Sequence, residues 1–302
     1  MKVVILMVCL LVGAEFIDGD LTISHERFRR MVLGRKAKIG AWPFVVWLVK
    51  DKTAGFPRYC GGSLIKDKWV LTAAHCVDSV VNKPWRLSVR IGSAKRLWMK
   101  QIKKFHYNAS KIFLHPGYKR NIAINDDIAL IKLRWPVFIN RYTFTKPVRI
   151  ALWGITDDKL EDYRCKSAGW GKDRSFKSIS SFQKSSKPSK YLKEIRVPLI
   201  PKSDCIEIVK TIDEVGKNTT AFWRKMMCGG GRNETYGTAC LHDSGSPLVC
   251  QDKYNNIDLH GIAIAIHGPE IRTKPCTPGK QIIVFLRVAR YVSWILDIVK
   301  KN

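Results

Sequence analysis

Cysteine content constrains this chain more than any other feature of its sequence. Of nine cysteines, Cys9 lies in an apolar N-terminal run, which leaves an even set of eight. An even set in a secreted chain implies four disulfide bonds, although the number alone allows about 105 pairings. Zinc is the competing interpretation, but no Cys-x-x-Cys pair occurs, which argues against a zinc site. The eight cysteines are Cys60, Cys76, Cys165, Cys205, Cys228, Cys240, Cys250 and Cys276.

The N-terminus is typical of a secretory signal. Lys2 precedes an apolar run from Val3 to Val12, and small residues follow it. The run is too short to span a bilayer. We therefore expect residues 1–14 to be a signal peptide, and the mature protein to be secreted, extracellular, soluble and without a membrane span. Sequons beginning at Asn108, Asn218 and Asn233 agree with a glycoprotein.

Residues 15–30 are polar and end in the pair Arg29-Arg30. Such a dibasic end before "MVLG" predicts a propeptide that is cleaved after Arg30, so that Met31 becomes the new N-terminus. The region from residue 31 to residue 302 is then the functional domain.

The charge balance is strongly basic, with 53 Lys and Arg against 25 Asp and Glu, a net charge of +28. This charge predicts attraction to polyanions such as acidic glycans, anionic membranes or nucleic acid. The stretch 95–104 mixes Trp98 with lysines, a pattern that can bind nucleic acid, but secretion argues against that partner. Residues 172–193 are rich in Ser and Lys and predict an exposed, mobile loop.

Short β-rich segments alternate with turn signals along most of the chain. Examples are "GGSLI", "WVLTAA" and "DIALIKL". Their short spacing and alternating polarity predict an all-β, antiparallel sandwich or barrel. The C-terminus differs, because Val292, Ile295, Leu296 and Val299 recur at helical spacing. A C-terminal amphipathic helix is therefore expected.

Three polar motifs carry candidate chemistry. "TAAHC" contains His75, "NDDIALIKL" contains Asp127 and "CLHDSGSPLVC" contains Ser244. Acyl transfer needs a hydroxyl nucleophile, an imidazole that takes its proton and a carboxylate that orients the imidazole. Isolated His, Asp and Ser residues are mostly structural, but all three in these contexts and in this order indicate a hydrolase.

The chain resembles the chymotrypsin/trypsin-like serine proteases from about Met31 to the C-terminal helix. "TAAHC", "DIAL", "AGWG", "DSGSP" and "YVSWI" carry the resemblance. It implies two six-stranded antiparallel β-barrels that meet near residue 145, with a C-terminal α-helix and the active site between the barrels. It also implies a monomer without cofactor that acts on proteins or peptides. In that family His75 would be the general base, Asp127 the orienting carboxylate and Ser244 the nucleophile.

The resemblance further implies the disulfide pairing and the activation step. The pairs would be Cys60–Cys76, Cys165–Cys250, Cys205–Cys228 and Cys240–Cys276. An activating protease would cut after Arg30, and the Met31 ammonium would pair with Asp243. Leu33 stands where the family usually has a glycine.

Several residues depart from the family pattern. His242 replaces a glycine whose backbone N–H, together with that of Ser244, forms the oxyanion hole. Thr238 replaces the pocket-floor Asp of trypsins, so a preference for Lys or Arg is not supported. An alignment from "YVSWI" puts Ile283 at a pocket glycine; another uses Pro278-Gly279. Ser246 replaces a second glycine, which the family often accepts.

No metal site is expected. The loop that binds calcium in some relatives corresponds here to a segment with Lys100 and Lys103 at likely ligand positions, and ammonium groups repel cations.

Three functions remain open on the sequence. The first is a secreted serine endopeptidase made as a zymogen, which the complete set of His75, Asp127 and Ser244 favours. The second is a catalytically weak or inactive homologue that binds a partner, which His242, Ile283 and the altered edge "GIAIAIHG" favour. The third is an extracellular polyanion-binding protein, which the net charge favours.

Overall fold

The computed structural model describes nine stretches of the chain. They are residues 34–50, 59–96, 102–120, 126–139, 144–172, 188–210, 219–231, 237–268 and 276–302. The expected signal peptide, the propeptide, Met31, Leu33, Lys100, Asn218 and Asn233 lie outside these residues. Among the described residues no helix has both the length and the apolar character that crossing a membrane requires.

The described part of the chain contains fifteen strands in two sheets, which are antiparallel except where β8 joins β14. In chain order they are β1 (Arg35–Lys36), β2 (Val45–Lys50), β3 (Tyr59–Lys66), β4 (Trp69–Thr72), β5 (Leu87–Ile91), β6 (His106–Leu114), β7 (Ala129–Leu133), β8 (Arg149–Ile150), β9 (Arg164–Gly169), β10 (Lys193–Arg196), β11 (Leu199–Ile200), β12 (Met226–Gly229), β13 (Pro247–Gln251), β14 (Ile257–His267) and β15 (Ile282–Arg287). The helices are α1 (Lys202–Val209), α2 (Thr219–Lys225) and α3 (Val292–Lys301).

The first sheet is a closed barrel of six strands in the order β2-β3-β4-β7-β6-β5. It closes because β2 pairs on both sides, with β3 and with β5. The period of two is clear in β5, where Leu87, Val89 and Ile91 are buried while Ser88 and Arg90 are half-buried. This barrel has the architecture that the sequence predicted.

The second sheet curls in the order β1-β10-β9-β13-β14-β15-β12-β11, with β8 paired in parallel to β14. It forms a curled half-barrel, which together with the closed barrel and the C-terminal helix confirms the fold class that the sequence predicted. The ladder is interrupted between β10 and β11, two parts of one extended segment that are separated by Val197 and Pro198. Proline has no N–H to donate to a ladder. Val197 still donates to the Cys165 carbonyl, and Gly230 donates to the Pro198 carbonyl, so the segment stays attached on both sides.

The C-terminal helix is confirmed, but Leu296 does not lie on its buried face. Ile295 is buried, and Trp294, Ile298 and Val299 pack against the main core. Leu296 points outward and is 55% exposed. The helix therefore covers the core with a stripe narrower than the apolar residues of the sequence suggest.

All four expected disulfides are present: Cys60–Cys76, Cys165–Cys250, Cys205–Cys228 and Cys240–Cys276. The expected loop 172–193 is only partly described, and both of its described ends are ordered. Lys172 and Ser189 are buried, and Lys193 begins β10. Leu192 is buried as well and donates its N–H to the Ala94 carbonyl. Residues 173–187 lie outside the described part of the chain.

Candidate active site

His75 lies in a 3₁₀ turn, Ala74–Cys76, directly after β4. The neighbouring residues Ala74 and Cys76 are buried, and Cys76 is bonded to Cys60 of β3. The His75 side chain remains 37% exposed. The barrel and the disulfide therefore fix the backbone of His75, while its ring stays accessible.

Asp127 holds the imidazole at two points. Its Oδ2 lies 2.6 Å from Nδ1 of His75, and its Oδ1 accepts the backbone N–H of His75 at 2.9 Å. Asp127 is buried just before β7, whose residue Ala129 pairs with Thr72 at the end of β4. Because the Asp127 carboxylate can only accept a hydrogen bond, Nδ1 of His75 carries the hydrogen and donates it. Nε2 is then left as the proton acceptor.

Ser244 lies in the loop before β13, and its backbone is tied to the first barrel. Its carbonyl accepts the N–H of Gly61 in β3 at 2.7 Å. The Cys76 Sγ atom is 3.6 Å from the Ser244 carbonyl oxygen and 3.8 Å from Nε2 of His75. The structure therefore brings the three sequence-predicted residues to one place: His75 and Asp127 bonded directly, and Ser244 against the same sulfur atom as the His75 ring.

A metal does not fit this cluster. One atom each of Cys60, His75 and Cys76 lie within 4.8 Å of one another. Metal binding needs thiolates, but the two sulfurs are bonded to each other.

Asp243, next to Ser244, is a buried carboxylate that is 1% exposed. It accepts the N–H of Gly171 at 2.8 Å and that of Cys240 at 3.0 Å. A Cβ at Gly169 or Gly171 would overlap the carboxylate, which explains why "AGWG" needs both glycines. Burial raises the pKa of Asp243 to about 7, although the two N–H donors act in the opposite direction. Among the described residues no cationic side chain forms an ion pair with it.

His242 has a φ of +82°, in the left-handed region that glycine adopts without strain. Its ring packs edge-on against Tyr59 of β3, with centroids 5.2 Å apart. A side chain in this conformation costs roughly 1–2 kcal/mol. His242 therefore has the backbone conformation of a glycine, and the conformation is strained because histidine carries a side chain.

The two sequence-predicted pocket residues are both buried, each 1% exposed. Among the described residues the Thr238 hydroxyl has no hydrogen-bond partner. Ile283 packs in a core cluster with Ala239, the neighbour of Thr238, and pairs across the ladder with Ile266 of β14. Ile266 also packs against the Cys240–Cys276 disulfide. Two isoleucines therefore occupy this side of the second sheet.

A carboxylate that the sequence analysis did not single out joins the two sheets beside Asp127. Asp126 accepts the Tyr291 hydroxyl at 2.8 Å and pairs with Lys225 of α2 at 2.8 Å. Burial alone would raise the pKa of Asp126, but the hydrogen bonds from Lys225 and Tyr291 outweigh it, and the pKa is lowered. The repeated acid of "NDDIAL" and the tyrosine of "YVSWI" were the available signals.

Comparison with known proteins agrees with the fold and the motifs. A family model described as Trypsin matches residues 31–295. The chain is 33% identical over 268 residues to the venom peptide isomerase heavy chain of Agelenopsis aperta, covering 88% of this chain and 98% of that protein. It is 28% identical over 282 residues to ovochymase of Halocynthia roretzi, covering 93% of this chain but only 15% of that protein's length.

Among solved structures, mouse neuropsin, a serine protease expressed in the limbic system of the brain, superposes with a TM-score of 0.63 at 24% identity. The match covers 88% of this chain and 98% of that chain, and it shows the fold alone. Together with the family match over residues 31–295, these findings lead to one conclusion: the chain belongs to the trypsin family of serine proteases.

Proposed function

We propose that this protein is a secreted serine endopeptidase that is made as a zymogen and hydrolyses peptide bonds through Ser244, His75 and Asp127. One observation carries the proposal: Asp127 binds His75 through both carboxylate oxygens, at 2.6 Å and 2.9 Å, beside the Ser244 loop. An imidazole held in this tautomer has its Nε2 lone pair available to accept a proton.

In the proposed reaction the Ser244 hydroxyl attacks the peptide carbonyl carbon while His75 Nε2 takes its proton. The new C–O bond gives a tetrahedral intermediate. Its oxyanion accepts hydrogen bonds from the backbone N–H groups of His242 and Ser244. The C–N bond then breaks as His75 returns the proton to the leaving amine. Water, deprotonated by His75, then attacks the acyl carbon of the acyl-enzyme. The bond to Ser244 Oγ breaks as His75 returns the proton to that oxygen, and the carboxylic acid is released. A single oxyanion donor is worth roughly 10²–10³ in rate.

The buried state of Asp243 supports the proposed activation by cleavage after Arg30. A carboxylate whose pKa burial raises to about 7 is only partly ionised at neutral pH. A cation that reaches it would form a buried ion pair, and such a pair is costly to break from either side. The Met31 ammonium, released by an activating protease, is the proposed cation. The ion pair would then hold the adjacent residues His242 and Ser244 in the oxyanion conformation.

Small uncharged side chains are the proposed specificity. Thr238 supplies no charge for Lys or Arg, and Ile266 and Ile283 bring eight side-chain carbons to positions that face each other across β14 and β15. One methylene in an apolar pocket is worth about 1–3 kcal/mol of discrimination, so two isoleucines exclude large residues effectively.

The direct test uses the full chain, secreted by a eukaryotic host and cut after Arg30. A fluorophosphonate probe should label Ser244 in the cut protein, label the uncut protein much less and leave Ser244→Ala unlabelled. Peptide libraries read by mass spectrometry should show cleavage products. A folded, cut protein that neither reacts with the probe nor cleaves any peptide would overturn the proposal.

A non-catalytic homologue that binds a partner through the same cleft is the second candidate. The observation that favours it is the φ of +82° at His242, where a glycine would be unstrained. Silence towards the fluorophosphonate, combined with retention of a protease inhibitor or a peptide by the cut protein, would favour this function over the first.

A further inference from the structure

Away from the candidate active site, two depressions adjoin on the surface. One has a volume of about 290 Å³ and the other about 890 Å³, and both are lined by Lys38, Gly40 and Trp42. The two depressions adjoin at these shared residues, and we call them together the cationic trough. The trough crosses from the first barrel to the second sheet along residues 144–149.

Positive charge dominates the trough. Seven cations and one carboxylate, Glu194, line it within the described part of the chain. That carboxylate is already engaged, since Arg35 and the Trp42 indole N–H each donate to it at 2.5 Å. The cations are Arg35, Lys38, Lys95, Lys104, Lys146, Arg149 and Lys166. Arg149 is paired as well, with Asp258, so the positive field of the trough comes mainly from its lysines. This field attracts anions that can contact several lysines at once.

The trough also has apolar surface between its cations. Ile39 is 65% exposed and Phe144 is 51% exposed at the narrower end. Apolar side chains flanked by ammonium groups suit a ligand that carries anionic groups on a backbone with apolar faces, such as a chain of sugar rings. Among the described aromatic residues of the trough, Phe144 is the one exposed ring, whereas Trp42, Phe105 and Trp170 are buried and offer no face for stacking. Single-stranded nucleic acid relies on such stacking platforms.

We propose that the cationic trough binds a linear sulfated glycan. The number of cations favours a polyanion, and their distribution over two adjoining depressions favours an extended chain over a single small anion. The shortage of exposed aromatic rings favours the glycan over nucleic acid, as do the four disulfides, which are typical of oxidising compartments. None of His75, Asp127 and Ser244 lines the trough, so a bound glycan leaves the candidate active site open.

The test compares two triple variants of the full chain that lose the same charge. Lys38, Lys146 and Lys166 are changed to Gln in the first; Lys202, Lys280 and Lys300, which do not line the trough, are changed to Gln in the second. The probe is heparin, with affinity measured at about 0.15 M salt and again at increasing salt. The trough variant should bind roughly tenfold or more weakly and with a shallower salt dependence, whereas the control should change about twofold or less.

Equal losses of heparin affinity in the two triple variants would overturn the assignment of the binding site to the trough, because binding would then depend on net charge alone. Retained affinity for desulfated heparin would overturn the role of the sulfates. A single-stranded DNA of about 20 nucleotides that binds as tightly as heparin, and loses affinity in the same variant, would overturn the assignment to a glycan. Heparin binding is measured without any peptidase assay, so this proposal and the proposed proteolysis fail separately.

Discussion

The carboxylate of Asp243 accepts the backbone N–H of Gly171 at 2.8 Å, in a space that a Cβ at position 171 would fill. The loop of Ser244 and the strand end at "AGWG" therefore meet through a buried acid. This acid accepts two N–H groups and has no cationic partner among the described residues. Its protonation state couples the stability of the uncleaved protein to pH.

We expect the uncleaved protein to lose stability relative to Asp243→Asn as pH rises from about 4 to about 7. Burial raises the pKa of Asp243 from 3.8 to about 7, so in this window the folded state binds more protons than the unfolded state. The free energy of unfolding therefore falls with pH, by about 1.4 kcal/mol per unit of pKa difference. Urea unfolding of both proteins at pH 4, 5.5 and 7.5 measures the difference.

The comparison with Asp243→Asn also cancels the contribution of His260 to the pH dependence of stability, which has the opposite sign. Burial lowers the pKa of His260 to about 4, so this histidine adds stability as pH rises from about 4 to 6.5 in both proteins. Only the difference between the two unfolding profiles reports on Asp243. Profiles that run parallel across the whole range would contradict the expected raised pKa.

His242→Gly should increase activity and should not weaken folding. At a φ of +82° the substitution relieves roughly 1–2 kcal/mol of strain, which offsets the entropy that glycine adds to the unfolded chain. His242→Ala is the matched control, because it removes the imidazole and its contact with Tyr59 but keeps a Cβ. A gain in kcat with Gly alone indicates strain, and equal gains with both indicate crowding by the ring. No gain with Gly would refute the strain.

Asp126→Ala should lower both activity and stability. The substitution leaves Lys225 and the Tyr291 hydroxyl without their shared acceptor. It also removes the contacts that fix the backbone directly before Asp127. We expect a loss of about 1–3 kcal/mol in the free energy of unfolding and a fall in kcat with little change in KM. Tyr291→Phe, which removes one hydrogen bond, should cost about 1 kcal/mol. Unchanged kcat in Asp126→Ala would show that the cluster does not position Asp127.

Ile266→Gly should allow larger side chains into the substrate pocket. Ile266 faces Ile283 across β14 and β15 and packs against the Cys240–Cys276 disulfide, beside Thr238 and Ala239. The matched control is Ile264→Gly in the same strand, whose isoleucine packs against the main core instead. Peptide libraries should show increased kcat/KM for substrates with Leu or Phe before the cleaved bond in the first variant only. An identical profile in both variants would remove Ile266 from the pocket.

Much of the architecture could be predicted because it depends on local motifs. The turn of His75, the strand after Asp127 and the loop of Ser244 each follow from a few adjacent residues. The four disulfides followed once the resemblance supplied their pairing.

What sequence reasoning missed depends on contacts between distant segments. The interruption of the second sheet at Val197 and Pro198 depends on which strands lie on either side of that segment. Leu192 falls in a stretch whose Ser and Lys content masks its burial, and its partner Ala94 is far away in the chain. The Asp126 cluster joins residues that are 165 positions apart along the chain. Composition and motifs within a short stretch of sequence cannot reveal contacts between residues so far apart.

The sulfur of Cys76 touches both the ring of His75 and the carbonyl of Ser244, and the same cystine closes the chain between β3 and the turn after β4. Reduction of that cross-link would release the turn of His75 from β3, the strand whose Gly61 N–H binds the Ser244 carbonyl. The position of the imidazole beside the Ser244 loop therefore depends on an oxidised Cys60–Cys76 pair.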